Sequence, residues 1–148
     1  MEILTFKLLV TEEDLNLAAT RYIPDDEEVT RVRARIAPEG VYVTGIYHMM
    51  IKVPFETRWE VTAAQGVLSA RLADFKAMGM PAMLFQGVLM KLVRETVEKE
   101  NEVIIEKDTI RLSLERLLAK FGFRLRTHLN SVCCQQGLMT FEAIPSAA

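Results

Sequence analysis

The chain has few histidines and cysteines, on which many catalytic and metal sites depend. Its two histidines stand apart, and its two cysteines, Cys133 and Cys134, are adjacent. Adjacent cysteines lack the spacing of a zinc site or a redox pair, and a disulfide between neighbours is strained. The sequence also has no metalloprotease, calcium-loop, P-loop or dinucleotide-binding motif. We therefore expect reduced, structural thiols and neither a metal nor a cofactor.

The two histidines also lack the neighbours of a catalytic set. His48 and His128 fall within predicted strands, and no nucleophile-elbow sequence stands near either one. A hydrolase needs a nucleophile, a base and a group that orients the base. The sequence therefore predicts a protein that is not an enzyme.

The chain lacks a basic excess and a recognisable leader. Its formal net charge is -2 and its sequence pI is about 5.8, whereas nucleic-acid binders normally carry a surplus of lysine and arginine. The first residues, MEILTFKLLVTEED, do not resemble a signal peptide. We expect no nucleic-acid partner and a cytoplasmic location. With 148 residues, half of them hydrophobic, the sequence predicts one domain over residues 1–148.

The most apolar segment runs from Ala77 to Val93, where Gln86 and Lys91 are the only polar side chains. A helix that starts after Pro81 would carry apolar residues over an arc of roughly 200°. A membrane span needs about 20 apolar residues, and this segment is shorter and is followed by charges. We expect a sheet to cover one side of the helix. More protein, a second subunit or an apolar ligand would cover the other side.

A change to period-two alternation before this helix predicts four strands in meander order. They begin at Val29, at Val41, at Phe55 and at Val67. The second strand, predicted from Val41 to Val53, is unusual because apolar residues occupy both of its faces. In a sheet with one solvent-exposed face, apolar and polar residues should alternate more regularly.

The flanking segments predict further short elements. They are a strand from Met1 to Val10, a helix capped by Thr11 that ends near Tyr22, strands Val103 to Ile105 and Thr109 to Leu112, a helix from Leu114 to Phe121 capped by Ser113, and strands Phe123 to Cys133 and Leu138 to Ala143. The predicted fold class is α+β. A curved antiparallel sheet of about six to eight strands would wrap around one long apolar helix, with two short helices beside it.

Several stretches carry a family resemblance. They are the helix TEEDLNLAATRYI, the strands RVRARIAPEGVYVTGIYHMMIKVPFETRWEV and GVLSARLADFKAMGMP, the apolar helix, and the hairpin and helix VIIEKDTIRLSLERLLAKFG. In this order, from about Leu8 to Ala143, the chain resembles the tubular lipid-binding (TULIP) superfamily, in particular its small bacterial single-domain phospholipid-binding members. The resemblance implies a curved antiparallel sheet around a long helix, with an elongated apolar cavity for acyl chains.

Apolar patterning, rather than any family motif, selects the candidate cavity residues. They are Met49, Met50, Met83, Phe85, Leu89 and Met90. Flexible thioethers suit a cavity for variable apolar ligands, although methionine also fills gaps in ordinary cores. Three arginines on one strand face, Arg31, Arg33 and Arg35, are candidates for contact with anionic lipid headgroups. A solvated outer face is the alternative explanation for them.

The predicted function is non-enzymatic binding of a lipid, such as a fatty-acyl ligand, or of another long apolar ligand in an elongated hydrophobic cavity. The alternative is a homo-oligomeric interaction or scaffold protein. In that case the excess apolar surface would form the interface of a homodimer.

Overall fold

The computed structural model describes residues 2–23, 25, 28–97, 103–125 and 129–143. Within these ranges the protein is an α+β fold of three helices and three sheets, and its strands pair mostly antiparallel. The helices are α1 (Glu12–Tyr22), α2 (Ala82–Val97) and α3 (Leu114–Lys120). The strands are β1 (Glu2–Ile3), β2 (Phe6–Thr11), β3 (Val29–Ala37), β4 (Gly40–His48), β5 (Lys52–Ala64), β6 (Val67–Ala77), β7 (Val103–Glu106), β8 (Thr109–Ser113), β9 (Arg124–Leu125), β10 (Ser131–Gln135) and β11 (Leu138–Ala143).

Six strands form the largest sheet, in the order β3-β4-β5-β6-β8-β7, and every neighbouring pair runs antiparallel. Its first four strands follow one another along the chain as a meander. Successive side chains of a strand point to opposite faces, and in β5 every second residue from Val53 to Trp59 is buried. These residues define the inner face of the sheet, and Glu56 and Arg58 between them lie on the outer face.

β4 is shorter than the sequence predicted. The chain turns after His48, which pairs with Lys52 of β5. The tip of this hairpin, which we call the methionine tip, consists of Met49, Met50 and Ile51. The single strand predicted from Val41 to Val53 was therefore wrong. Its apolar residues on both faces belong to two strands that are joined by an apolar turn.

β3 contains a β-bulge that changes which of its residues face inward. Arg31 and Val32 together oppose Gly45 of β4. The φ angle of Arg31 is 56°, in the left-handed region that residues with a side chain seldom adopt. The extra residue shifts the alternation by one position. Val32 therefore faces the same cavity as Val29, although the two are three positions apart.

Two layers cover the inner face of the six-stranded sheet. At one end α2 packs on it, and Phe85 and Leu89 are buried together with Phe55 and Trp59 of β5. At the other end lies the antiparallel sheet β10-β11-β2. The residues buried in this second cluster are Ile36, Val41, Leu129, Met139 and Phe141.

α2 has 16 residues and begins directly after Pro81, whose carbonyl oxygen accepts a hydrogen bond of 3.0 Å from the backbone N–H of Phe85. Phe85 is buried toward the sheet, whereas Met83 and Leu84 in the first turn are exposed. The sheet thus covers one side of α2. On the opposite side, the first turn of the helix is exposed to solvent. None of the helices in the described ranges has the length and apolarity needed to cross a membrane.

α1 begins at a capping box and covers the free edge of β3. The backbone N–H of Asp14 donates to Thr11 Oγ1 over 3.1 Å, and the backbone N–H of Thr11 donates to Asp14 Oδ2 over 2.9 Å. Farther along the helix, the Asn16 amide both donates to the carbonyl of Ala34 and accepts from its N–H. Because β3 is an edge strand, the Asn16 side chain takes the place of a neighbouring strand there.

Two other predicted strands are broken where the structure describes them. The strand predicted from Met1 to Val10 is divided into β1 and β2, and the one predicted from Phe123 to Cys133 is divided into β9 and β10. β1 and β9, which lie far apart along the chain, pair with each other in a separate parallel sheet. β7, β8 and α3 lie where the sequence predicted them, but Ser113 makes no capping hydrogen bond through its side chain.

Candidate functional site: an apolar cavity

A cavity of about 240 Å³ lies between α2 and the inner face of the six-stranded sheet. Its wall is formed by residues of five elements and by the residue that follows α1. The residue after α1 is Ile23. The others are Val29 and Val32 of β3, Val43 of β4, Phe55, Thr57 and Trp59 of β5, Leu89, Leu92 and Val93 of α2, and Ile110 of β8. The cavity is partly open to solvent. We call it the apolar cavity.

Among the wall residues that the structure describes, Thr57 is the one with a hydroxyl group, and its hydrogen bonds are made within the protein. Thr57 is 1% exposed. The hydroxyl donates to the carbonyl of Val43 over 3.0 Å and accepts from Trp59 Nε1 over 2.9 Å. A buried polar group that is already paired does not need a ligand partner. The wall therefore presents an apolar surface, which favours an apolar occupant.

Aromatic packing holds α2 against the sheet beside the cavity. The ring of Phe85 lies 5.4 Å from that of Phe55 and 5.9 Å from that of Phe75, measured between centroids. Phe55 fits because its neighbour on β4 is Gly45. A Cβ atom at Gly45 would lie 2.7 Å from Phe55 Cζ, closer than non-bonded carbon atoms approach one another. Gly45 thus makes room for the ring that anchors α2.

The six candidate cavity residues fall into three environments. Leu89 lines the apolar cavity. Phe85 and Met90 are buried in the adjoining core. Met49, Met50 and Met83 are 50%, 103% and 88% exposed. The first two of these belong to the methionine tip and Met83 to the open first turn of α2, so none of the three lies in the wall of this cavity.

Sequence reasoning missed most of the wall. In β5, Phe55, Thr57 and Trp59 alternate with the charged residues Glu56 and Arg58. This pattern is typical of residues on one face of a strand, but it does not indicate that they border a space rather than a filled core. Val29 was harder to find, because strict alternation places it on the face of the arginines, whereas the bulge at Arg31 shifts the alternation and turns it inward with Val32. Ile110 joins the wall only because β8 pairs with β6. Along the chain, β6 precedes α2 and β8 follows it.

A groove of larger volume, about 500 Å³, adjoins the apolar cavity. Ile23 and Val32 line both spaces, and the other residues of the groove are Thr20, Asp25, Arg31 and Arg33. Both arginines are exposed. We call this feature the basic groove. Arg35, the third candidate arginine, lies elsewhere, with its guanidinium carbon 4.2 Å from the centre of the Tyr42 ring.

The methionine tip is next to the turn that leads into α2. The backbone N–H of Met78 donates to the carbonyl of Pro54 over 3.1 Å, and Ile51 Cδ1 approaches the position that a Cβ atom of Gly79 would occupy. Ile51 and Met78 are 58% and 72% exposed. Together with Met49 and Met50 they form an apolar patch on the surface.

The histidines and cysteines do not assemble a reactive centre in the described ranges. His48 Nε2 lies 2.8 Å from Thr30 Oγ1, and His128 lies outside the residues that the structure describes. Cys133 and Cys134 are free, and Cys133 is exposed. Burial raises the pKa of the Cys134 thiol, with a smaller contribution from Cys133. In the same ranges, no three histidine, cysteine or acidic side chains are placed to hold a metal ion.

Comparisons of the chain with protein-family models, with curated proteins and with solved structures gave no match. The function is therefore inferred from the apolar cavity and the surfaces around it.

Proposed function

We propose that the protein binds, without chemical conversion, an apolar ligand in the cavity between α2 and the six-stranded sheet. The observation that carries this proposal is the apolar wall of the cavity. The hydroxyl of Thr57 in this wall already donates one hydrogen bond and accepts another within the protein. Closely packed cores leave few voids larger than a water molecule. A space of about 240 Å³ therefore favours a role in binding over incomplete packing.

The size of the cavity narrows the class of ligand. Drug-sized ligands occupy pockets of roughly 300 to 1,000 Å³, whereas an apolar cavity of about 150 Å³ holds a benzene molecule. With about 30 Å³ for each water-sized group, the apolar cavity has room for about eight such groups. A single alkyl chain of medium length fits this space better than a phospholipid with two long chains.

The chain's single tryptophan, Trp59, lies in the cavity wall and serves as a reporter. We expect decanol to change the fluorescence of Trp59 with a saturable dependence on concentration, and a brominated decanol to quench it. Val93→Phe adds a ring to the wall and should weaken decanol binding by about tenfold or more. Isothermal calorimetry provides the matching dissociation constants.

Val88→Phe is the matched control, because Val88 lies on the same helix but is not part of the cavity wall. It should bind decanol as the unmodified chain does. No saturable binding of decanol, or equal binding by Val93→Phe and the unmodified chain, would contradict the proposal.

A TULIP-like arrangement, in which a curved sheet wraps around the apolar helix α2, belongs to the same proposal. It is supported by the position of α2 on the inner face of the six-stranded sheet. A cytoplasmic location is also part of the proposal. The free thiols of Cys133 and Cys134 suit a reducing compartment.

Self-association is a second candidate function, and the apolar patch around the methionine tip favours it. Exposed apolar patches often mark interaction surfaces. If this patch forms the interface of a homodimer, Met50→Asp should convert the dimer to a monomer in sedimentation velocity experiments at micromolar concentration. Leu17→Asp is the control, because Leu17 is 64% exposed and lies on α1. A chain that is already monomeric at these concentrations would exclude this function.

A further inference from the structure

We propose that the basic groove is a headgroup subsite, and that the ligand of the apolar cavity is a single-chain amphiphile with an anionic head, such as a medium-chain fatty acid. The inference rests on the proposed function, because it assigns the polar end of the same ligand. It follows from the position of Arg31 and Arg33 beside the cavity, and it goes beyond binding of an apolar chain.

The two spaces have a common boundary. Ile23 and Val32 line both the apolar cavity and the basic groove. An alkyl chain in the cavity that reaches these two side chains would bring its polar end to the groove. A headgroup there would stay close to solvent, and its tail would be removed from water. This is the arrangement that an amphiphile requires.

The charges in the groove favour an anion. Among the described residues, neither Arg31 nor Arg33 forms an ion pair. Asp25 also lies in the groove, and its Oδ1 accepts a hydrogen bond of 3.0 Å from the backbone N–H of Arg31. Two guanidinium groups and one carboxylate leave a net charge of +1 among the groove residues that are described. Guanidinium groups bind carboxylates with charge-assisted hydrogen bonds.

The bulge in β3 places Arg31 and Arg33 next to the wall of the apolar cavity. Without the extra residue at Arg31, Val29 and Val32 would point to opposite faces of β3. With it, Val32 joins Val29 in the apolar cavity, and Arg31 and Arg33 lie on the groove side. Bulges re-aim side chains in this way and occur frequently near binding sites.

The test compares ligands that share a tail and differ in the head. At pH 8 and low ionic strength, we expect decanoate to bind about fivefold more tightly than decanol, and decylamine to bind more weakly than decanol. Arg33→Gln should remove most of the preference for decanoate over decanol while decanol binds as before. About 0.5 M salt should reduce the preference in the unmodified chain as well.

Two further variants make the test specific. Arg35→Gln removes an arginine from the same strand but not from the groove, and it should keep the preference for decanoate. Asp25→Asn removes the groove carboxylate while an oxygen remains to accept the Arg31 N–H. We expect this variant to bind decanoate about twofold to threefold more tightly, with decanol unchanged.

The outcomes separate the headgroup subsite from the cavity. If decanol and decanoate bind equally, or if Arg35→Gln and Arg33→Gln have the same effect, the headgroup subsite is wrong and the apolar cavity stands. If neither ligand binds, both proposals are wrong. Acetate, which has the head without the tail, should show no measurable binding at the concentrations used. Tight binding of acetate would also contradict an amphiphile.

Discussion

A single hydroxyl group joins the two strands behind the apolar cavity. Thr57 of β5 donates to the carbonyl of Val43 on β4, and it accepts from the indole of Trp59. The period-two pattern of β5 places Thr57 on the same face as Phe55 and Trp59, but the pattern does not explain why a polar residue occurs there. The structure provides the reason, because the buried Trp59 N–H needs an acceptor.

Thr57→Val should destabilise the fold although it hardly changes the volume of the side chain. The Nε1–H group of Trp59 would then be buried without an acceptor, which costs about 1 to 3 kcal/mol. Urea denaturation should show a free energy of unfolding that is lower by this amount. Thr62→Val, at an exposed position of the same strand, is the control and should be close to neutral. An unchanged stability of Thr57→Val would show that Trp59 finds another acceptor.

At the scale of elements, local signals predicted the helices better than they predicted the ends of strands. Thr11 was identified as an N-cap from its type and from the acidic residues that follow, and α1 begins there with a capping box. The sharp turn at the methionine tip carries no glycine, proline or asparagine, which are the usual turn signals. The sequence pattern therefore predicts one continuous strand that includes Met49 and Met50.

The capping box of α1 predicts a dependence of stability on pH. The hydrogen bonds that Asp14 accepts from Thr11 hold the pKa of Asp14 below its ordinary value of 3.8. A group with a lowered pKa in the folded state stabilises the fold above the ordinary value, and this contribution is lost as the pH falls through the folded-state pKa. Asp14→Asn should therefore lower the melting temperature at pH 6, and the difference from the unmodified chain should shrink below about pH 4.

Glu13→Gln is the matched control for this element. It removes a negative charge from the same first turn but leaves the hydrogen bonds of the capping box in place. It should have a smaller effect at pH 6 than Asp14→Asn. Equal effects of the two variants would attribute the stabilisation to the helix dipole rather than to the capping box.

At the scale of the whole molecule, the apolar cavity arises where separate elements meet. α2 and the sheet β10-β11-β2 cover different ends of one inner face. The cavity lies under α2, where side chains from five elements converge. No local stretch of the chain contains this information, because the volume between layers depends on how all of the elements pack.

Occupation of the cavity should stabilise the whole fold. A ligand that binds only the folded state stabilises it by mass action, by about 2.7 kcal/mol at a hundredfold excess over its dissociation constant. For a domain of this size we expect decanol at such a concentration to raise the melting temperature by about 5 to 10 °C. Differential scanning fluorimetry measures the shift, and Val93→Phe at the same decanol concentration should show a much smaller one. A lowered melting temperature would indicate that decanol binds the unfolded chain instead.

The sequence by itself determined the α+β class, the start of α1 at Thr11, the start of α2 after Pro81 and the meander of β3 to β6. These features depend on caps, breakers and alternation, which act between residues a few positions apart. The tertiary structure alone decided the bulge at Arg31, the exposed methionine tip and the pairing of β8 with β6. It also decided which apolar residues border a cavity rather than a filled core, because that distinction depends on the distance between layers and not on the polarity of any residue.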